Sequence, residues 1–239
     1  MTLTELANHV CTTVSQTDTD SVTVCKTFVN YRYRMLWDMA LWTETLGVAS
    51  QAVAASDEEV SISATPSLTF YQSSSAPSTK IEHPVAIRFT KTDDDNGIEI
   101  INEDWLTYFQ IDINAWNNVD NRKTTPKNFI HLPKDSSGNC RIKLIPTPDK
   151  AGTLYVLGKL KWVELADSDS PALNGADNAL MAYAEHDMLK RARQYGKAQA
   201  MLMEAQAHNA IMRDLEKGQR QSISRVIPIE TAVYRIEDL

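Results

Sequence analysis

The sequence predicts an α+β protein: a helical bundle of two N-terminal helices and one long C-terminal helix, with an inserted antiparallel β domain and an extended C-terminal arm. Three patterns predict this class. Apolar residues recur at helical spacing before residue 50, short β-prone runs fill residues 51–170, and residues 178–217 contain no proline. The predicted domains are a bundle (1–50 and 171–217), a β-rich domain (51–170) and an arm (218–239).

The first fifty residues predict two antiparallel helices joined by a short loop. Thr2 and Glu5 have the spacing of a capping box, in which each residue caps the other's backbone amide. The polar run that follows predicts that Asp20 or Ser21 caps the second helix. We expect this helix to end near Gly47, because glycine favours the left-handed conformation that follows many helices.

Five short runs in the second zone predict strands of an antiparallel sheet, a sandwich or a small barrel. These runs are residues 67–71, 85–89, 97–101, 140–145 and 152–160. Pro146 and Pro148 predict a turn between the last two runs. Most of the runs have no crossover helix between them, which argues against a parallel dinucleotide-binding sheet.

The third zone predicts one long helix from Asn178 to about Lys217, capped by Asn174 or Asp177. At the usual rise per residue this helix would be roughly 60 Å long. Few globular domains hold so long a helix, so we expect either a break in it or an elongated packing partner.

A basic cluster lies within this predicted helix. On a continuous helix, Lys190, Arg193 and Lys197 share one face. That face is either a solvated or subunit-contacting surface, or a site that contacts phosphate groups or an acidic partner.

The arm after Gly218 starts with polar, loop-like residues and continues with apolar, β-prone ones. Pro228 prevents a continuous helix through it. So short a segment cannot form a core of its own, and we expect it to dock onto this domain or another chain.

The sequence carries no common catalytic or cofactor motif. It lacks the G-x-S-x-G, H-E-x-x-H, G-x-x-x-x-G-K-[ST] and G-x-G-x-x-G patterns, and it contains only 8 glycines. Its 3 cysteines and 5 histidines are scattered, without the spacing of a zinc site. No apolar run approaches the roughly 18 residues that span a membrane. We therefore predict no enzyme activity, no cofactor, no metal site and no membrane contact.

One segment has part of the spacing of a calcium-binding loop. Asp94, Asn96, Gly97 and Glu103 match ligand or turn positions, but Thr92 stands where a carboxylate is needed. We interpret the segment as a hairpin turn centred on Asn96 and Gly97, with a calcium site as the alternative.

The formal net charge of −7 is unevenly distributed. Residues 51–121 hold 3 basic and 12 acidic residues, a net −9, whereas residues 122–170 hold 9 basic and 5 acidic residues, a net +4. Two roles are open for this asymmetry. An acidic surface would repel DNA phosphates, or the acidic half of one copy of the chain would face the basic half of the next.

Two segments carry a resemblance to a known family. Residues 179–200, ALMAYAEHDMLKRARQYGKAQA, resemble the long helix of tailed-bacteriophage head-to-tail adaptor (connector, neck) proteins. The N-terminal order of a short helix from Thr2, a Thr/Asp turn and FVNYRYR at 28–34 is similar to the same family. The resemblance covers both helical zones, with the β zone as an insertion between them.

This resemblance implies a structural virion protein, assembled in the host cytoplasm, that forms a homo-oligomeric ring between the phage portal and the tail. Such rings usually have twelve subunits, and they extend a channel that DNA passes without sequence-specific binding. They offer a platform to tail or nozzle proteins, and their C-terminal arms reach into the portal. The portal-binding residues implied for this chain are Arg220, Ile223, Arg225, Val226, Ile227, Ile229 and Tyr234.

A second function stays open beside this one. A tail or receptor-binding virion protein would bind glycans through its β domain, with Trp105, Tyr108 or Trp116 as stacking groups. A hydrolase using dispersed carboxylates such as Glu103 and Asp104 is disfavoured, because nothing near them in the sequence supplies a second catalytic group.

Overall fold

A computed structural model describes residues 1–69, 80–92, 97–102 and 123–224, and the side chains of all of these except 68–69 and 218–224. These residues form four α-helices and eight strands. The helices are α1 (Leu3–Thr13), α2 (Thr19–Met39), α3 (Ala176–Arg191) and α4 (Tyr195–Ser224). The strands are β1 (Leu46–Val53), β2 (Glu59–Ile62), β3 (Leu68–Thr69), β4 (Ile81–Lys91), β5 (Ile98–Asn102), β6 (Asn128–Leu132), β7 (Cys140–Ile145) and β8 (Gly152–Leu160).

The chain forms two compact units. A helical unit contains Met1–Glu44 and the described residues from Glu164 onward, and a β unit contains the described residues between Thr45 and Val163. Whether these units fold as separate domains, with boundaries after residues 50, 170 and 217, stays a prediction.

The helical unit begins as predicted. The Thr2 hydroxyl accepts a hydrogen bond from the Glu5 amide, and the Glu5 carboxylate accepts one from the Thr2 amide, which completes the capping box of α1. Asp18, rather than Asp20 or Ser21, caps α2, because its carboxylate accepts bonds from both the amide and the hydroxyl of Ser21. The helices bury apolar side chains against one another, among them Leu6, Val10, Cys25, Val29, Leu36, Trp37, Leu180 and Met188.

The predicted end of the second helix at Gly47 is wrong. α2 ends at Met39, and Gly47 lies inside strand β1. A Cβ atom at residue 47 would lie 2.8 Å from Cδ2 of Leu160 on β8, so glycine here permits close strand approach.

The single long helix predicted over 178–217 is wrong, and the break that its length made one of two expectations lies between Arg191 and Tyr195. Arg193 has φ of 60°, a left-handed conformation that ends α3. The Arg193 amide donates to the Lys190 carbonyl at 3.0 Å and the Gln194 amide to the Leu189 carbonyl at 2.9 Å, which is the Schellman pattern of helix ends. Local backbone conformation therefore splits the segment into two helices.

The two helices pack together as an antiparallel hairpin. Gly175, just before α3, lies close to Met212 of α4, and Nδ1 of His186 is 2.8 Å from the Ala198 carbonyl oxygen. Gly175 precedes α3 without a side-chain capping bond, in place of the caps predicted at Asn174 or Asp177. α4 continues to Ser224, so the first residues of the predicted extended arm are helical.

The β unit contains one mixed, nearly closed, barrel-like sheet with the strand order β2-β7-β6-β5-β4-β8-β1-β3. β5 and β6 pair in parallel, with Ile101 opposite Asn128 and Asn102 opposite Phe129, whereas the other neighbours are antiparallel. The sheet buries one set of alternating side chains, which includes Ile62, Ile87, Phe89, Phe129, Ile142, Leu144, Leu154 and Val156.

The predicted fold class is therefore wrong. A bundle of two N-terminal helices and one long C-terminal helix, with an inserted antiparallel β domain, was expected, but the described chain has four helices and a mixed, nearly closed sheet. All five predicted runs contain strands, whereas β1, β2 and β6 were not predicted. Alternating apolar residues fix which face a strand buries, but they do not fix the direction of its neighbour.

Candidate functional site

The turn between α3 and α4 brings four cationic side chains to the surface. Lys190 and Arg191 end α3, Arg193 forms the turn and Lys197 lies in the first turn of α4, and all four are exposed. Because the helix breaks between them, they surround the tip of a hairpin. The prediction that Lys190, Arg193 and Lys197 share one helical face is therefore wrong. We call these four residues the basic turn.

The carboxylates nearest to the basic turn in sequence have other partners. No acidic residue occurs from Met188 to Met203. Asp187 receives two hydrogen bonds from the Arg32 guanidinium, at 2.6 and 2.7 Å, and these bonds raise the pKa of Arg32. Within the described part of the chain, the four cations form no ion pair with a carboxylate. Among the described residues, the charge of Arg191 adds to the Ser21 hydrogen bonds that lower the pKa of Asp18, but no carboxylate is in direct contact with any of the four cations.

A second surface follows the outer side of α4. Met203, Ile211 and Leu215 are 64%, 56% and 61% exposed, and Ala207 between them is exposed as well. Successive spacings of four residues place them along one face of the helix. The opposite face is already buried, through Ala198, Ala205 and Met212. α4 therefore has a second apolar face, the outer stripe, which nothing in the described chain covers.

The C-terminal part of α4 is held at a fixed position. The buried Glu216 carboxylate accepts hydrogen bonds from the amide and hydroxyl of Thr43, at 3.1 and 2.7 Å. Beside this contact lies a cleft of about 240 Å³, lined by residues that include Leu41, Trp42 and Arg213. Glu216 thus anchors the C-terminal part of α4 to the segment that follows α2.

Some of the predicted portal-binding residues lie within the described part of the chain, which ends at residue 224, and the others lie beyond it. Arg220 and Ile223 belong to the last turns of α4, where only the backbone is described. The other predicted arm residues, Arg225, Val226, Ile227, Ile229 and Tyr234, lie outside the described residues.

The predicted turn at Asn96 and the stacking candidates Trp105, Tyr108 and Trp116 also lie outside the described residues. So does Glu103, and the calcium-loop alternative therefore stays a prediction.

The β unit has an open cleft of about 450 Å³ on its sheet surface, which the sequence did not predict. Tyr155 of β8 is 46% exposed there, and it pairs with Arg88 on the neighbouring strand β4. Arg88 faces Glu99 across β5, and its side chain lies against Gly97, where a Cβ atom would clash with it. An aromatic ring is thus placed in a row with two charged side chains.

The acidic and basic halves of the β zone meet inside the chain. Three ion pairs join them: Glu58–Lys143, Glu59–Arg141 and Glu82–Lys134. Burial is the largest single influence and raises the pKa of Glu82, but the hydrogen bond and charge of Lys134, together with the charges of His83 and Lys161, outweigh it and the pKa is lowered. Part of the charge that the sequence offered for a contact between copies of the chain therefore forms ion pairs within one chain.

The described residues offer little for covalent or metal chemistry. Cys11, Cys25 and Cys140 are free and buried, and burial raises the pKa of each thiol, which disfavours the reactive thiolate. In the described ranges, no three His, Cys, Asp or Glu side chains come together as metal ligands would. None of the helices described combines the length and hydropathy of a transmembrane segment.

No family model matches the chain, and no curated protein matches it either. The features of the described residues that bear on function are the basic turn, the outer stripe and the sheet cleft.

Proposed function

We propose that this protein is a structural virion component, a head-to-tail adaptor that assembles as a homo-oligomeric ring between the phage portal and the tail. The ring extends the channel through which DNA passes, and the C-terminal arm of each subunit reaches into the portal. The observation that carries the proposal is the outer stripe of α4.

The outer stripe favours contact with another protein surface. Met203, Ile211 and Leu215 expose more than half of their surface on one face of a helix whose other face is already packed. Burying each of these side chains would stabilise an assembly by about 1 kcal/mol or more. A contiguous apolar stripe of this kind usually marks a protein contact, and we assign it to the neighbouring subunit.

The position of the stripe suits an adaptor. It lies on the helix that leads directly into the predicted arm, and the Thr43–Glu216 contact anchors that helix. Residues 179–200, which resemble the adaptor family, span α3, the basic turn and the start of α4. One hairpin would thus combine subunit contact with the departure point of the arm.

The decisive experiment is the mass of the assembled protein, measured by native mass spectrometry with and without a phage portal. We expect a closed ring of one size, formed alone or on the portal. Ile211→Glu combined with Leu215→Glu should leave monomers, because it places charges in the contact. The control Ile101→Glu changes a 64% exposed side chain of the β unit and should leave the ring intact.

Two results would overturn the proposal. One is a wild-type chain that stays strictly monomeric and ignores the portal. The other is a ring that forms equally well with both stripe substitutions. Deleting residues 225–239 tests the arm separately: portal binding should be lost while the ring remains.

The sheet cleft supports a second candidate function, glycan binding by the β unit. Saccharide rings stack on exposed aromatic side chains, and Arg88 and Glu99 beside Tyr155 offer donors and acceptors for hydroxyl groups. A glycan array with the wild type and Tyr155→Ala separates the candidates. Binding that is lost in the variant favours a receptor-binding role, whereas no binding leaves the adaptor proposal standing alone.

A further inference from the structure

The basic turn places an arginine where a glycine would be more stable. Arg193 occupies the left-handed position of a Schellman motif, at which glycine is the usual residue because it has no Cβ atom. Gly196, three residues later, lies in the first turn of α4, and a Cβ atom there would meet nothing within 4 Å. The turn thus has an arginine, Arg193, at the left-handed position that favours glycine, whereas its glycine, Gly196, lies in a helix.

The charge of the basic turn is concentrated and exposed. Four cations lie within residues 190–197, and the interval contains no acidic residue. The protein as a whole carries a net charge of −7, so the turn is opposite in sign to the rest of the molecule. Its electrostatic attraction for an anionic partner is therefore local.

The neutral residues of the turn also suit a phosphate partner. Gln194 and Tyr195 are exposed, Tyr195 to 64%, and both side chains can donate hydrogen bonds to phosphate oxygens. Gly196 leaves the surface open beside them. Lysine, Lys190 and Lys197 here, is depleted at interfaces between proteins, whereas interfaces with DNA are rich in lysine and arginine.

We propose that the basic turn is a contact for the phosphate backbone of duplex DNA. We assign the contact to phosphates and not to bases, since the four cations surround a helix–helix turn and do not line one face of a helix that could enter the major groove. The opposing net charge of the protein keeps binding weak and salt-sensitive. The inference rests on the proposed adaptor function for its biological setting, but one chain carries the whole site and can be tested by itself.

The test measures binding of a fluorescently labelled 20-base-pair duplex of mixed sequence by anisotropy, over a series of salt concentrations. The test variant combines Lys190→Gln, Arg193→Gln and Lys197→Gln. The matched control combines Lys123→Gln, Lys127→Gln and Lys161→Gln, three exposed lysines of the β unit, and changes the net charge equally.

We expect the test variant to bind about tenfold more weakly at low salt and the control to stay within about twofold of the wild type. The slope of log affinity against log salt should fall by about 2 to 3 in the test variant, since each phosphate contact contributes about 0.9. Equal losses in both variants, or a wild type that does not bind the duplex, would overturn the proposal.

A single substitution separates function from stability. Arg193→Gly should raise the melting temperature, because glycine relieves the left-handed backbone, and yet weaken DNA binding. A purely structural turn would gain stability without any loss of binding. Polyglutamate that binds through the same three cations, while the duplex does not, would assign the turn to an acidic protein surface instead.

The mass of the assembled protein, measured on the same variants, distinguishes a failure of the DNA-contact proposal from a failure of the adaptor proposal. A test variant that forms the ring but loses DNA binding supports both. DNA binding by a chain that forms no ring removes the adaptor proposal alone.

Discussion

The contact between Arg32 and Asp187 shows how one pair of residues joins two distant segments of sequence. The guanidinium binds the carboxylate through two hydrogen bonds, and the two side chains are only 17% and 13% exposed. The guanidinium carbon also lies 5.1 Å from the centre of the Tyr183 ring. This pair fixes α2 against α3 and occupies the carboxylate that stands nearest to the basic turn in sequence.

We expect Asp187→Asn to reduce the free energy of unfolding by roughly 3 kcal/mol, because it leaves a largely buried guanidinium without its counter-charge. Urea denaturation measures the change. Asp38→Asn, which breaks the exposed pair with Arg34, is the control and should have little effect. Comparable losses from the two substitutions would contradict the assigned role of burial.

Glu185 gives a second prediction at this scale. Burial, aided by the charge of Glu204, raises its pKa, while His9 and Thr13 act in the opposite direction. Between the ordinary and the raised pKa the folded state binds more protons than the unfolded state, so stability falls as pH rises through that window. Glu185→Gln should therefore be more stable than the wild type at pH 7, with the difference vanishing below the ordinary pKa.

Denaturation curves at pH 7 and at about pH 4 test this expectation for Glu185. The exposed Gln206→Ala, which removes no titratable group, serves as the control and should show no such pH-dependent difference. A difference for Glu185→Gln that is the same at both pH values would contradict it.

At the scale of elements, the hairpin of α3 and α4 depends on backbone conformation more than on residue type. Alanine-rich sequence on both sides of the turn favours helix, yet Arg193 interrupts it. Once interrupted, the second helix folds back and buries Ala198, Ala205 and Met212. The outer stripe of α4 then faces away from the hairpin.

We expect Gly196→Ala to stabilise the protein by about 0.5–1 kcal/mol, since alanine is the better helix former and its Cβ meets no neighbour. Thermal denaturation measures the gain. Gly152→Ala is the opposing case, because its Cβ would clash with the Thr90 carbonyl and the Phe89 ring, and it should destabilise. A loss of stability at both positions would show that Gly196 has a packing role.

At the scale of the whole molecule, the ion pairs that the charged residues form within the chain are more informative about assembly than the net charge is. The acidic and basic halves of the β zone form ion pairs within one chain, whereas the outer stripe is apolar. Contact between subunits should therefore be mainly hydrophobic, which salt does not screen.

We predict that raising sodium chloride from about 0.1 to 1 M leaves the mass of the proposed ring unchanged, because exposed charges are largely screened within that range and an apolar contact is not. Light scattering across the titration is the measurement. Dissociation at high salt would restore the alternative in which the acidic half of one subunit faces the basic half of the next.

The sequence by itself determined the local features of this protein. It predicted the capping box at Thr2, the positions of five strand segments and the helical character on both sides of residue 192, because caps, alternation and helical spacing act over a few residues. The tertiary structure alone decided what depends on distant partners. Gly47 lies in a strand, where the close approach of Leu160 leaves no space for a Cβ atom. β5 pairs with β6 in parallel because the sheet brings these two segments together. The basic turn and the outer stripe exist as surfaces because the chain reverses at Arg193. The helix propensities of the residues on either side of Arg193 do not predict this reversal.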